Sequence, residues 1–115
     1  MELYNKELLK ELQEAVHDAG YYMPRVLFHG SKFANIRLET KLAYVALLDT
    51  LLKGATYNQE NLALLKTDNP VIGKTLATLA NKEVDQGKVN KYLNELMEAN
   101  LIEVNKQDIF VYNIG

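Results

Sequence analysis

The chain contains no cysteine and no tryptophan, and only two of its 115 residues are histidine. Without cysteine it has no disulfide, no thiolate metal site and no cysteine nucleophile. His17 and His29 lie in different segments and lack the HExxH spacing of a zinc protease. Ser31, the single serine, stands outside any G-x-S-x-G motif. We therefore predict that the chain is not an enzyme and has no catalytic residue, metal site, cofactor or small-molecule substrate.

Long apolar runs and a strong net charge are also missing. No apolar run approaches the roughly 20 residues that cross a bilayer, and the acidic, periodic amino terminus differs from a signal peptide. We therefore expect a cytoplasmic protein with no membrane partner. The net charge of −2 is unusual for a nucleic-acid-binding domain, but the charge is unevenly distributed. Residues 1–20 carry two lysines and five acidic side chains, whereas residues 21–66 carry six basic and three acidic ones.

The strongest structural pattern lies in residues 75–114. Leu76, Leu79 and Ala80 have the spacing of one helical face, and turn formers and charges interrupt that pattern at residues 81–85. A longer amphipathic helix follows, whose apolar stripe consists of Val89, Tyr92, Leu93, Leu96 and Met97. A helix, a tight turn and a second helix are therefore predicted.

A hairpin is predicted after the second helix, for which Asp85 is the expected N-cap. Apolar residues then alternate on either side of a turn at residues 105–108, namely Ile102, Val104, Ile109 and Val111. A brief strand at Val71–Ile72 is expected to pair with this hairpin. The order of helix, turn, helix and hairpin is the winged-helix plan. The predicted fold class is mainly α with a small β-hairpin, a winged helix-turn-helix with an added N-terminal helix.

That added helix is predicted over residues 3–18, with Gly20 as its stop. Its apolar side must be buried against its own domain, a second copy of the chain, or another protein. The predicted division is therefore an N-terminal amphipathic helix at residues 1–20 and a winged-helix domain at residues 21–115.

A central buried helix is predicted over residues 38–52, because this segment is apolar nearly all round. Lys41 and Asp49 are expected to mark its wetter face. The polar residues 53–61 are predicted to form a loop, and a short apolar piece follows at residues 62–65.

The candidate DNA-contacting residues lie on the second helix of the helix-turn-helix and at the hairpin turn. Such a recognition helix presents its first residues to base edges in the major groove. Amide side chains pair with adenine, while lysines reach guanine or phosphate. The predicted DNA-binding residues are Gln86, Gly87, Lys88, Asn90, Lys91, Asn94, Lys106 and Gln107. Arg25, Lys32 and Arg37 would add attraction if they lie near that face, although Arg25 is equally a partner for Asp49.

Two phrases of the sequence resemble a known family. Residues 21–28 read YYMPRVLF, and residues 38–49 read LETKLAYVALLD. Together with Leu96, Leu101-Ile102 and Tyr112, they resemble the RepA N-terminal domain family of replication initiators from plasmids of low-GC Gram-positive bacteria. The resemblance covers residues 21–113. It implies a winged-helix domain that binds DNA in plasmid replication initiation.

The leading hypothesis is therefore sequence-specific binding of double-stranded DNA, by a homodimer, in a bacterial cell. A second copy is expected because one short helix with few cations gives limited affinity, and symmetric dimers are the commonest oligomers. The alternative is a winged-helix protein-interaction module, or a transcriptional regulator without initiator activity. The overall acidity of the chain favours this alternative.

Overall fold

The computed structural model describes residues 1–16 and 20–115, and within them it contains five helices and five strands. In chain order the elements are β1 (Glu2–Leu3), α1 (Lys6–Ala15), α2 (Arg25–Phe28), α3 (Leu38–Gly54), β2 (Thr56–Tyr57), β3 (Ala63–Lys66), α4 (Pro70–Ala80), α5 (Gln86–Glu98), β4 (Ile102–Asn105) and β5 (Asp108–Asn113). Because α3 contacts α1, α4, α5 and β3, it lies at the centre of the molecule.

The central position of α3 agrees with its apolar composition. Every residue from Ala43 to Leu51 is buried, so almost the whole circumference of the helix faces other elements, as predicted for residues 38–52. Tyr44 is fully buried, and its hydroxyl donates to the carbonyl oxygen of Tyr112. This bond joins the central helix to the last strand of the sheet.

Asp49 departs from its predicted place on the wetter face of α3. Only 6% of the residue is exposed, because neighbouring elements cover the helix on all sides here. Its Oδ2 lies 2.8 Å from the Nζ of Lys53, one helical turn further on, although this contact is not aligned as a hydrogen bond. Lys53, rather than Arg25, is therefore the ion-pair partner of this buried carboxylate.

The sheet is assembled on β5. β4 pairs with β5 as an antiparallel hairpin, β3 pairs with the beginning of β5, and β1 pairs with its end. Within the hairpin, Ile102 lies opposite Val111 and Val104 lies opposite Ile109, so the alternating apolar residues share one face. The predicted hairpin is confirmed. It is not isolated, however, because β1, β3 and β2 extend it into a five-stranded sheet.

The amino-terminal segment begins with a strand rather than a helix. Glu2 and Leu3 pair with the end of β5, so the helix predicted over residues 3–18 begins only at Lys6, where the Asn5 side chain accepts from the Leu8 N–H. The buried side chains of α1 lie in the same core as α3, which is the own-domain packing considered above. Residues 17 and 18 of the predicted helix lie outside the described residues. The division at residue 20 stays a prediction.

The strand predicted at Val71–Ile72 is wrong, because both residues lie in the first turn of α4. The side chain of Asn69 accepts from the Val71 N–H and Pro70 occupies the first turn, which are both favourable at a helix start. The strand that pairs with the hairpin is instead β3, formed by the short apolar piece. β2 falls within the loop predicted at residues 53–61.

Candidate nucleic-acid interface

α5 begins as the sequence predicts, with Asp85 as its N-cap. The Asp85 Oδ1 accepts from the Lys88 N–H at 2.8 Å, which satisfies one of the free amides of the first turn. The buried face of α5 consists of Val89, Tyr92, Leu93 and Leu96. The opposite face is exposed and carries all six of the predicted α5 residues, namely Gln86, Gly87, Lys88, Asn90, Lys91 and Asn94. The folded chain therefore presents these side chains together to solvent.

An ion pair holds the third turn of α5 against the start of α3. The guanidinium of Arg37 donates through Nε and Nη2 to the two carboxylate oxygens of Glu95, at 2.9 and 2.7 Å. The Thr40 hydroxyl donates to the same carboxylate at 2.5 Å. Partial burial favours a higher pKa for Glu95, but the hydrogen bonds from Arg37 and Thr40 outweigh it and lower the pKa. A bidentate pair of this kind fixes orientation as well as distance.

A second carboxylate, that of Glu39 on α3, holds the turn between α4 and α5. Glu39 lies 2.6 Å from the Nζ of Lys82 and accepts a hydrogen bond from the hydroxyl of Tyr92. The bonds from Lys82 and Tyr92 lower the pKa of Glu39 to about 2. Arg37 and Lys82 are both neutralised by carboxylates in this way. Since neither Lys88 nor Lys91 has an ion-pair partner among the described residues, they are the cations that α5 leaves available.

The lowered pKa of Glu39 predicts a particular dependence of stability on pH. The carboxyl has its ordinary pKa of 4.5 when unfolded and a pKa of about 2 when folded. Its stabilising contribution is therefore complete above the unfolded value and is lost as the pH falls through the folded one. We expect the Tm difference between the wild type and Glu39→Gln to be largest near neutral pH and to narrow towards about pH 2. Thermal unfolding followed by circular dichroism measures the Tm of the wild type and of the variant at each pH.

The matched control is Glu11→Gln on α1. Glu11 is exposed and forms no ion pair within residues 1–16 and 20–115. Its Tm difference from the wild type should stay small at every pH. A Tm difference between the wild type and Glu39→Gln that keeps the same size down to about pH 2 would contradict the assigned role of the Glu39 carboxylate.

The hairpin tip consists of Lys106 and Gln107, the two residues between β4 and β5. Lys106 has a φ of +58°, and a positive φ at the first central position is common to the favoured two-residue turns. Both residues are exposed. The tip is therefore a narrow projection that ends in one cation and one amide.

Thr67 connects the hairpin tip to the start of α5. Its N–H donates to the Gln107 carbonyl oxygen at 2.9 Å, and its own carbonyl oxygen accepts from Gln86 Nε2 at 3.0 Å. Two regions that are about twenty residues apart in the sequence are thus joined through the backbone of a single residue. The structure brings the two groups of predicted residues onto adjoining surfaces.

Several residues of this surface do not stand out in the sequence. Thr67 acts through its backbone, which leaves no side-chain pattern to detect. Lys74 lies with Asp85 and Gln86 along the groove between α4 and α5, and only the helical register of α4 would have indicated it. Arg37 does lie against α5, but Glu95 neutralises it, and none of the described ion pairs brings Arg25 or Lys32 to this helix.

Other kinds of site were expected to be absent. Within the described part of the chain, no three His, Asp or Glu side chains lie close enough to hold one metal ion. None of the described helices is both long enough and apolar enough to cross a membrane. The expectation that the chain is not an enzyme stays a prediction.

Comparison with known proteins gives structural neighbours only. No protein-family model matches the chain, and no curated protein does. The solved "Structure of MDR initiator" superposes with a TM-score of 0.61 at 18% identity, over 99% of this chain and 88% of that one. An "N-Terminal domain of DNA binding protein" has a TM-score of 0.59 at 21% identity, over 89% of this chain and 79% of the other.

A third neighbour, the "Structure of Rep-DNA complex", has a TM-score of 0.59 at 22% identity, over 89% of this chain and 80% of that one. At these identities the likeness is one of fold. The fold is that of the DNA-binding and replication-initiator structures named above. The more specific resemblance to the RepA N-terminal family stays a prediction.

Proposed function

We propose that this chain is a winged-helix module that binds double-stranded DNA with sequence specificity. α5 is the recognition helix in this proposal, and the hairpin is the wing. The observation that carries the proposal is the double hydrogen bond of Thr67, which sets the first turn of α5 beside the wing tip. A recognition helix in the major groove with a wing on the adjoining backbone needs this arrangement.

Each exposed group then has a role that its chemistry allows. Gln86, Asn90 and Asn94 would face base edges, and Gly87 would let the backbone approach the DNA closely. Lys88, Lys91 and the wing-tip Lys106 would neutralise phosphates, while Gln107 would hydrogen-bond to a phosphate or a minor-groove edge. Binding, rather than catalysis, is the activity that these groups support.

Few cations are available for this task, since Arg37 and Lys82 are already neutralised by carboxylates. One protomer would therefore bind weakly, and we propose that a homodimer binds two half-sites. The neighbours named as an initiator and as a Rep–DNA complex support a role in replication initiation. In a bacterial cell such a module would act in the cytoplasm, at repeated or palindromic plasmid sites.

The same neutralised cations favour a second candidate, a protein-interaction module on this fold. Fluorescence anisotropy of a labelled duplex pool at two salt concentrations separates the two. If Lys88, Lys91 and Lys106 each neutralise one phosphate, the Kd per protomer should rise roughly 40-fold when the salt is raised fourfold. Absence of binding at low salt by a protein that circular dichroism shows to be folded would overturn the DNA-binding proposal and favour the second candidate.

A further inference from the structure

The hydrogen bonds of Gln86 fix the orientation of two amide side chains on α5. Gln86 Nε2 lies 3.0 Å from the Thr67 carbonyl oxygen and 2.9 Å from Asn90 Oδ1. A carbonyl oxygen only accepts hydrogen bonds, so the Gln86 atom that faces Thr67 must be its NH₂ group. The second hydrogen of that NH₂ group needs an acceptor, so the Asn90 atom that faces Gln86 must be oxygen. The Thr67 carbonyl therefore determines how both side chains are turned.

These two hydrogen bonds leave one kind of group facing outwards on each side chain. Both hydrogens of Gln86 Nε2 are used, so Gln86 offers only its Oε1, an acceptor. Asn90 offers the two hydrogens of its Nδ2 on the side away from Gln86, while its oxygen, which keeps one lone pair, is turned towards Gln86. The two residues lie one helical turn apart on the exposed face of α5. Together they present an acceptor from Gln86 and a donor from Asn90.

Adenine recognition by a single amide needs both groups of that amide at once. The oxygen must accept from the N6 amino group while the NH₂ group donates to N7. Gln86 has no free hydrogen for N7, and Asn90 has its oxygen turned towards Gln86. The sequence-based expectation that each of these amides pairs with adenine therefore does not agree with the observed hydrogen bonds.

We infer that Asn90 specifies guanine by donating from Nδ2, and that Gln86 positions it. Guanine presents two acceptors in the major groove, O6 and N7, and no donor, whereas cytosine presents only its N4 amino donor. A group that only donates is complementary to guanine and discriminates most strongly against cytosine. This inference rests on the proposed DNA binding through α5, and it names the base that one position of the site takes.

The variant Asn90→Asp tests this directly, because it replaces the outward-facing NH₂ group with an oxygen and keeps the shape of the side chain, at the cost of one added negative charge. The inner carboxylate oxygen still accepts from Gln86, and the outer atom becomes an acceptor instead of a donor. The preference at that position should therefore move from guanine to a base with an amino group, cytosine or adenine. From the range for one good base contact, the relative affinity for guanine over cytosine should fall about 5- to 150-fold.

The control Asn94→Asp carries the same change of charge on the same exposed face, one turn further on. Asn94 has no hydrogen bond to Gln86 among the described contacts. The Asn94→Asp substitution should lower the affinity by a similar electrostatic factor and leave the guanine position unchanged, and any change of base preference should fall at the separate position that Asn94 itself faces. The comparison of the two variants separates added negative charge from altered base recognition.

The experiment is a selection from a randomised duplex pool with the wild type and both variants, followed by sequencing of the bound fraction. Guanine selected by the wild type, and lost only in Asn90→Asp, supports the inference. Selection of adenine by the wild type at the position that Asn90→Asp alters would overturn it, because the amide would then have turned. Identical preferences in the wild type and Asn90→Asp would also overturn it.

The outcomes also distinguish failure of this inference from failure of the proposed function. Bound DNA with no base preference leaves DNA binding in place and overturns the guanine assignment. No bound DNA at low salt overturns both. On the free protein, the Gln86 side-chain NH₂ resonances in NMR spectra should shift in Asn90→Ala and stay unchanged in Asn94→Ala. Resonances unaffected by Asn90→Ala would show that the two amides do not interact, and would overturn the inference without any DNA.

Discussion

Replacing Leu93 with alanine is expected to lower the free energy of unfolding by about 2–5 kcal/mol. Leu93 lies on the buried face of α5 and is 4% exposed, and α5 packs against α3 and α4. The substitution removes three carbon atoms from this contact and leaves a cavity that the neighbouring elements fill only partly. Denaturant unfolding followed by circular dichroism measures the change.

The matched control for Leu93→Ala is Asn94→Ala at the next position. Asn94 is exposed, and an exposed substitution of this kind changes stability by no more than about 0.5 kcal/mol. The pair of variants tests the rotation of α5 about its axis, because neighbouring residues of a helix point about 100° apart. Equal destabilisation by the two substitutions would contradict the assigned buried face.

Replacing Lys88 and Lys91 together with alanine is expected to produce the largest loss of DNA binding. Both side chains lie outside the buried face of α5, so folding should be unaffected. If each lysine neutralises one phosphate, the slope of log K against log salt should become shallower by about 2. Affinity should fall for all duplex sequences alike, because phosphate contacts carry no base information. Anisotropy titrations at several salt concentrations measure both effects.

The matched control for this double variant is Lys6→Ala with Lys10→Ala. These two lysines are exposed on α1, and α1 is not part of the proposed DNA surface. Their substitution removes the same total charge as the substitution of Lys88 and Lys91. The salt dependence of the control should stay close to that of the wild type. If both double variants weaken binding equally, the general charge of the protein, rather than α5, is responsible for the attraction.

The sequence predicts those parts of the fold in which apolar residues repeat regularly along a single element. α5 has an apolar stripe over three turns and an N-cap at Asp85, and the hairpin has alternating apolar residues on both strands. α3 is apolar on all sides, which predicts a buried helix. In each case the signal lies within the element itself, so no knowledge of the partner element is needed.

The parts that the sequence does not predict depend on partners far away in the chain. β1 has only two residues and exists because the end of β5 is available to pair with it. Val71 and Ile72 have strand-like side chains, but the cap at Asn69 and the proline at position 70 start a helix there. Asp49 looks solvent-facing in a helical projection, yet elements that the local pattern does not include cover it.

The same distinction applies to the candidate site. The exposed residues of α5 and the hairpin turn follow from local periodicity, and the structure places all eight of them on the surface. Their arrangement depends on Thr67, whose backbone joins Gln86 to Gln107, and no side-chain pattern indicates this link. The carboxylates that neutralise Arg37 and Lys82 come from α3 and α5, and their pairing likewise needs the folded chain.

The most direct test of the account is an NMR titration of the ¹⁵N-labelled protein with a duplex that it binds. We expect the amide resonances of Gln86, Gly87, Asn90, Lys106 and Gln107 to shift together, with one Kd, while those of Glu7 and Glu11 on α1 stay unchanged. Shifts concentrated on α1, or on α5 without the hairpin tip, would contradict the claim that the recognition helix and the wing form one DNA-binding surface.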